Sequence, residues 1–363
     1  MKTSYILQIH TGSFLNAHTS LEKVKEKMGE LIRTKNIQAV IFGWHLDLQL
    51  NAQLLDYFHQ ANIPCYFWLP VLSEIDQIMP SISLTNYTGQ KSQRVQVIED
   101  ESFSFLCPSH QDSYQNVVKV YEKYLAKLDF DGVFLDKIRF PSFANGYEEG
   151  FGCFCEECQE AYQNAGIDVE ALKLLFSKHD DALLKGHYDA YGHYLFDHAT
   201  VNSFYQVRAH LIIQLIGQLS DFFHSKNLKV GLDIYAPFFA YHCGQDIQAL
   251  SKKADFLKPM FYRFTTAPAG MQYEYDAYKK YFPNSSEFKL DPISLSSLAK
   301  QVAYLKQSSC EVYPGIEVNP IENICHTDLE RFRENQAFFF QDFDCLICCW
   351  NCLLMDEDIQ NHL

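Results

Sequence analysis

Three carboxylates sit inside or at the end of short apolar runs. Asp136 closes Gly132-Val133-Phe134-Leu135-Asp136, Asp233 lies in Gly231-Leu232-Asp233-Ile234-Tyr235, and Glu317 lies in Pro314-Gly315-Ile316-Glu317-Val318. A charged group among apolar neighbours is costly unless paired or solvated. Each alone is compatible with a rim salt bridge, but three at equivalent places ask for a shared polar site. Comparable run ends carry His10, Trp44, His45, Trp68, Tyr235, Tyr262, Arg263, Trp350 and Asn351, and Arg139 follows Asp136 closely. Two opposed carboxylates among aromatic faces are what glycoside hydrolysis uses. One protonates the leaving oxygen while the other attacks the anomeric carbon or activates water. Aromatic faces stack on sugar rings, and Arg, His and Asn hydrogen-bond hydroxyls. The bland alternative for the tryptophans is core packing, yet all three in the chain fall at such run ends.

A second chemistry is sulfur. Cys153, Cys155 and Cys158 follow Asp136, and Cys107 lies upstream in Leu106-Cys107-Pro108. Cys-x-Cys-x-x-Cys with a distant fourth cysteine has ligand spacing, and four thiolates close a tetrahedral zinc site. Such a site is structural, with no open position to activate water. Cys345, Cys348, Cys349 and Cys352 share one apolar run; they read as core residues, because neighbouring strand positions point to opposite faces.

The elements that must position these groups follow from the pattern. Short β-branched or aromatic runs alternate with segments of helical period, as in repeated β-α units. Strands are expected at Tyr5–His10, Ala39–Gly43, Cys65–Leu69, Gly132–Asp136, Lys229–Ile234, Phe256–Phe261, Val312–Val318 and Cys345–Trp350. Helices are expected over Leu21–Thr34, Ala52–Gln60, Gln115–Leu128, Ser203–Ser225, Gly244–Lys252, Leu295–Gln307 and Leu329–Phe340. Eight strands with helical crossovers, and no Gly-rich phosphate fingerprint after the first, predict an α/β fold. It is a single (β/α)8 TIM barrel over 1–363 rather than a doubly wound sheet. Two connections exceed plain loops: 73–113 after strand three, with a candidate hairpin at Arg94-Val95-Gln96-Val97, and 139–200 after strand four. Both leave the C-terminal end of the barrel, where barrel enzymes keep their active sites. Zinc on Cys107 and the triplet would tie these excursions together as a wall of the mouth.

Composition narrows the partners. The chain has 363 residues, 47% hydrophobic and 21% charged, enough to bury a large core without a disordered arm. Its formal net charge of −15 argues against nucleic acid, whose phosphates need clustered Lys and Arg. The segment from Met1 to His10 reads as a first buried strand rather than a signal peptide, and no run approaches the roughly 18 apolar residues of a membrane helix. The expectation is a cytoplasmic protein whose twelve cysteines stay mostly reduced. Its partner is a small carbohydrate, with no membrane or nucleic acid, and a homo-oligomer is left open.

Two stretches resemble known groups. Cys107-Pro108 with Gly152-Cys153-Phe154-Cys155-Glu156-Glu157-Cys158 is similar to the zinc cluster of family 42 β-galactosidases. Asp131-Gly132-Val133-Phe134-Leu135-Asp136-Lys137-Ile138-Arg139-Phe140-Pro141 resembles a signature of uncharacterised barrel proteins grouped with glycoside hydrolases. Gly231-Leu232-Asp233, Gly244-Gln245-Asp246 and Lys258-Pro259-Met260-Phe261-Tyr262 are similar to the same group. The family 42 resemblance implies a zinc barrel with a strand-seven nucleophile, which Glu317 matches in kind. It also implies Asn-Glu ending strand four, where this chain has Leu135-Asp136. The residues and the resemblance together point to a glycosidase with Asp136 as acid/base, Glu317 as nucleophile and Asp233 orienting the sugar. A variant has Asp136 as nucleophile. The alternative is a carbohydrate-binding or regulatory barrel that has lost the chemistry. A metal-dependent hydrolase ranks last, for want of a His-x-His on strand one.

Overall fold

The computed structural model describes residues 3–14, 17–75, 83–92, 94–98, 101–284 and 291–363. Eight parallel strands close into a barrel: β1 (Ser4–His10), β2 (Ile37–Gly43), β3 (Cys65–Pro70), β4 (Gly132–Asp136), β5 (Lys229–Tyr235), β6 (Phe256–Met260), β7 (Glu311–Val312 and Gly315–Glu317) and β8 (Cys345–Cys349). Each pairs with the next, and β8 returns to β1 through Ser4↔Cys345 to Leu7↔Cys348, so no edge is left open. The predicted eight strands are thus all present. The seventh is split at Pro314, which has no N–H to give the ladder, although its carbonyl still accepts Ile347 N at 2.9 Å.

Helices cover the outside. α1 (Leu21–Thr34) starts at Ser20, whose side chain accepts Lys23 N, and buries Val24, Met28 and Leu31, one apolar stripe at helical spacing. α2 (Leu48–Gln60) starts at Asp47 in the same way. α3 (Gln111–Val120) continues through a wider turn over Tyr121–Leu125. The first excursion contains the expected hairpin, Val95–Ile98 against Glu101–Phe103. The second holds α4 (Glu156–Asn164), α5 (Val169–Phe176) and a small hairpin, Gly186–Tyr188 with Tyr194–Phe196, before α6 (Ala199–His224). The crossover expected over Gly244–Lys252 shortens to Ile247–Leu250, capped by Asp246. A third long connection, after β6, was not foreseen; it carries α7 (Met271–Tyr281) ahead of α8 (Leu295–Leu305). Finally, α9 (Leu329–Phe339) leads to β8.

The lower end of the barrel uses one device twice. His59, in the last turn of α2, bonds Asp131 Oδ2 at 3.0 Å, and that oxygen accepts Cys65 N at 2.7 Å. His224, ending α6, bonds Asp255 Oδ2 at 2.9 Å, and that oxygen accepts Val230 N at 2.7 Å. Each clamp stitches a helix end, the strand it feeds and the start of the next strand. Because Val230 replaces Cys65 in the second clamp, the thiol beside His59 and Asp131 is incidental to the device.

Candidate active site

At the upper ends of β2 and β4 the backbone departs from ordinary geometry. Gly43 ends β2 at φ +149°, and a Cβ there would lie 2.8 Å from both Trp68 N and Trp68 O, so a side chain is excluded. Trp44 follows at φ 78° and donates its N–H to Trp68 O at 2.8 Å. Lys137, directly after β4, takes φ 52°. Bulky residues in the left-handed region are rare and gather at functional sites. These two meet: Lys137 Nζ lies 4.5 Å from the Trp44 ring.

Between them a cavity opens. His10, Trp44 and Trp68 line it from β1–β3; Asp136, Lys137 and Arg139 from β4; and Asp233 and Tyr235 from β5. Met260, Tyr262, Ala267, Pro268 and Ala269 line it from β6 and beyond, with Ile324 and, after β8, Trp350 and Asn351. Trp44 and Trp68 meet edge to face at 4.9 Å, as do Tyr262 and Trp350 at 5.8 Å. The structure therefore brings together ten of the expected residues: Asp136, Asp233, His10, Trp44, Trp68, Arg139, Tyr235, Tyr262, Trp350 and Asn351.

The two carboxylates are held differently. Asp136 Oδ2 accepts Trp68 Nε1 at 2.9 Å, and its Oδ1 accepts the Lys137 N–H. Asp233 Oδ2 accepts Lys258 Nζ at 2.9 Å, whereas its buried Oδ1 has no hydrogen-bond partner. Burial pushes the Asp233 carboxyl up to about 7 despite Lys258, and the charge of Asp136 adds to the rise. His10 is lowered to about 3 by burial and by nearby His45 and Lys137. Gly12 N donates to His10 Nδ1 at 3.3 Å, which assigns the imidazole proton to Nε2.

Three expected residues do not line the cavity. Glu317 is buried, but its Oε1 accepts Phe264 N at 2.8 Å and Thr265 Oγ1 at 3.1 Å. The Arg263 guanidinium is turned outward onto Ile293 O, Asn335 and Glu334, because the turn after β6 sends Tyr262 inward and its neighbour behind the strand. The His45 ring packs over Gly12, where a Cβ would fall 1.9 Å from its Cδ2.

Sequence reasoning missed Lys258, Lys137, Glu274 and the apolar wall. Lys258 had a legible signal: a lysine mid-strand in Phe256-Leu257-Lys258-Pro259-Met260, which pairs in register with Asp233. Glu274 Oε1 accepts Tyr235 OH and Ala269 N, both at 3.0 Å. Glu274 and Glu317 thus anchor the two ends of the segment that presents Ala267, Pro268 and Ala269.

The four predicted cysteines converge. Their sulfurs all lie within 4.8 Å of one another, with Cys107 Sγ 3.4 Å from Cys155 Sγ and 3.5 Å from Cys158 Sγ. Tetrahedral zinc with bonds of about 2.3 Å sets its sulfurs about 3.8 Å apart, so the donor set suits such an ion. Cys153 Sγ also accepts Thr85 N at 3.4 Å and Cys155 N at 3.3 Å, as a thiolate ligand would. Burial pushes the Cys153 thiol well up and the adjoining sulfurs do the same to Cys158, whereas hydrogen bonds with the other sulfurs bring Cys155 down.

Its place differs from the expected wall. Among the described residues, none of 83–113 lines the cavity, and 139–200 gives only Arg139. The cluster's link to the cavity is indirect: Phe105, two residues before Cys107, lies 4.9 Å from the Arg139 guanidinium, which lies 4.3 Å from the Tyr235 ring.

Three solved structures share this fold. They are the PgaB (BpsB) glycoside hydrolase domain from Bordetella bronchiseptica (TM-score 0.58, 14% identity, 96% of this chain and 94% of that one), α-L-fucosidase isoenzyme 2 from Paenibacillus thiaminolyticus (0.54, 12%, 99% and 48%) and a class V chitinase from Pseudomonas fluorescens Pf-5 (0.50, 10%, 98% and 97%). At these identities the shared property is the barrel. None is named as a β-galactosidase, and the resemblance to family 42 finds no support in them. No protein-family model matches the chain, and neither does any curated protein sequence. No described helix is long and apolar enough to cross a membrane.

Proposed function

We propose that this chain is a glycoside hydrolase acting on a small oligosaccharide or glycoside, with Asp136 and Asp233 as its working pair. The observation that carries the reading is their unequal setting in one aromatic-lined cavity. Asp233 is pushed up to about 7 by burial and keeps Oδ1 unpartnered, which suits a proton donor at neutral pH. Asp136 accepts an N–H on each oxygen, which suits a carboxylate that stays an acceptor. Asp233 delivers its proton to the glycosidic oxygen as the bond to the anomeric carbon breaks. Asp136 then either bonds that carbon, to be displaced by a water whose proton returns to the Asp233 carboxylate, or steadies its positive charge and takes the proton of the water that adds. Glu317 takes no chemical step in this scheme; it anchors the wall. Carboxyl groups about 5 Å apart give retention, and about 6.5–9.5 Å gives inversion.

The same reading gives the cysteine cluster a structural zinc. Cys107, Cys153, Cys155 and Cys158 hold it, and with all four positions filled it fixes loops rather than activating water. A reducing cytoplasm is the compartment that suits these thiols.

The test is a panel of aryl glycosides and short oligosaccharides with wild type, Asp136→Asn and Asp233→Asn, following product anomers by proton NMR. Turnover lost in both variants supports the pair. Sugar binding by calorimetry without turnover in wild type would favour the non-catalytic barrel.

A further inference from the structure

We propose that Lys258 is a positioning residue: its ammonium fixes the Asp233 carboxyl through Oδ2 and leaves Oδ1 as its one unbonded oxygen. This rests on the assignment of Asp233 as the proton donor. Lys258 is fully buried in mid-β6 and is absent from the cavity lining. Nζ donates to Asp233 Oδ2 at 2.9 Å, to Gln8 Oε1 at 3.1 Å and to Tyr262 OH at 2.7 Å. An ammonium has three hydrogens, and all three are assigned. None is left to reach a substrate, so Lys258 acts through the group it holds.

The arrangement spans the barrel interior. Gln8 comes from β1, Asp233 from β5, Lys258 from β6 and Tyr262 from just past β6. Asp136 and Arg139 act on Asp233 from β4 and the turn after it, while Cys349 from β8 adjoins both Lys258 and Tyr262. Within this ring of groups Lys258 is the cation bonded to Asp233. A buried carboxyl with one oxygen tied to a cation has a single orientation and a single free oxygen. That is the preorganisation a proton donor requires.

The cation also sets when Asp233 is charged. Lys258 holds the carboxyl down against the stronger effect of burial. Removing the cation raises the pH at which Asp233 gives up its proton. The basic limb of the rate profile then moves to higher pH, while misorientation lowers kcat.

The experiment uses Lys258→Met and Lys258→Arg in the full chain, with thermal unfolding to check the fold. In Lys258→Met the basic limb of kcat/KM should rise by at least one pH unit. Its kcat should fall about 10- to 100-fold, the expected cost of losing one charge-assisted hydrogen bond. KM should change less than threefold, and Lys258→Arg should recover part of kcat. Carboxyl 13C NMR of Asp233, assigned with Asp233→Asn, reads the same rise without any turnover. A folded Lys258→Met whose limb and carboxyl titration match wild type overturns the proposal. If Lys258→Met does not fold, 15N-lysine NMR of wild type decides: the Nζ signal must titrate with Asp233 and cease to do so in Asp233→Asn. An Nζ signal blind to Asp233 overturns the proposal. A shifted carboxyl titration in a protein that cleaves no glycoside would sink the glycosidase reading while leaving Lys258 in this role.

Discussion

Glu317→Gln separates an anchor from a nucleophile. The side chain is fully buried, with Oε1 bonded to Phe264 N and Thr265 Oγ1 and Oε2 without a partner. Burial lifts its carboxyl from 4.5 to about 7, against the pull of those two bonds. Between these values the unfolded chain has already lost the proton that the folded chain keeps. Unfolding therefore releases a proton, and raising the pH favours it. At 1.36 kcal/mol per pH unit, the position withdraws ~3 kcal/mol of stability from wild type between about pH 4.5 and 7. Glutamine keeps an oxygen for the two donors but puts an NH2 where Oε2 has no acceptor, at ~1–3 kcal/mol. The variant should then be the less stable protein at pH 5 and should draw level with wild type, or pass it, by pH 8. Urea unfolding at the two pH values reads this directly. On activity, an anchor that keeps its acceptor should lose less than ~10-fold in kcat. A nucleophile should lose on the order of 10³-fold or more. A folded variant with the larger loss, regained with azide as a glycosyl azide, would refute the anchoring role. A stability gap that ignores pH would refute the burial argument.

Other outcomes follow from the same geometry. Asp136→Asn should cost at least ~10²-fold in kcat, measured on the best glycoside of the panel, and should melt earlier, because its NH2 meets one of the two N–H donors that Asp136 accepts. With Asp233 as the donor, kcat/KM should fall about tenfold per pH unit above pH 7, as a pH–rate profile would show. Trp68→Phe keeps an aromatic ring and removes the 2.9 Å hydrogen bond to Asp136, so kcat should drop ~10- to 100-fold while the fold persists. Metal analysis of protein purified without chelator should find one zinc per chain. Cys158→Ser should lose that zinc, melt earlier, and reduce activity through Arg139 without abolishing it.

How much of this was legible in the sequence differs between the two ends of the barrel. The strands announced themselves because each is an apolar run fenced by turn residues, and Asp136, Asp233 and the tryptophans stood out as costly or bulky residues at their ends. The cysteines were legible because ligand spacing is local. Whether a residue just past a strand turns inward is not local: Tyr262 and Arg263 are adjacent, yet a single turn sends them to opposite sides. Glu317 shows the same limit, since an inward carboxylate and an anchor for a neighbouring loop look alike until the loop is placed. The wall of Ala267, Pro268 and Ala269 was invisible because small apolar residues carry no chemical signal of their own.

The sulfur cluster also makes the chain sensitive to its surroundings. Cys107 and Cys155 sulfurs 3.4 Å apart lie a short side-chain rotation from bonding each other at about 2.0 Å, and Cys155 is the least covered of the four. Metal and oxidant therefore compete for the same electron pairs. Where thiols stay reduced, an ion on the four sulfurs would hold the segment that carries Phe105 against Arg139. Where they do not, a cross-link would take two ligands, and the change would reach the cavity through Phe105, two residues before Cys107, and Arg139. The protein's activity would then report the redox state of its compartment.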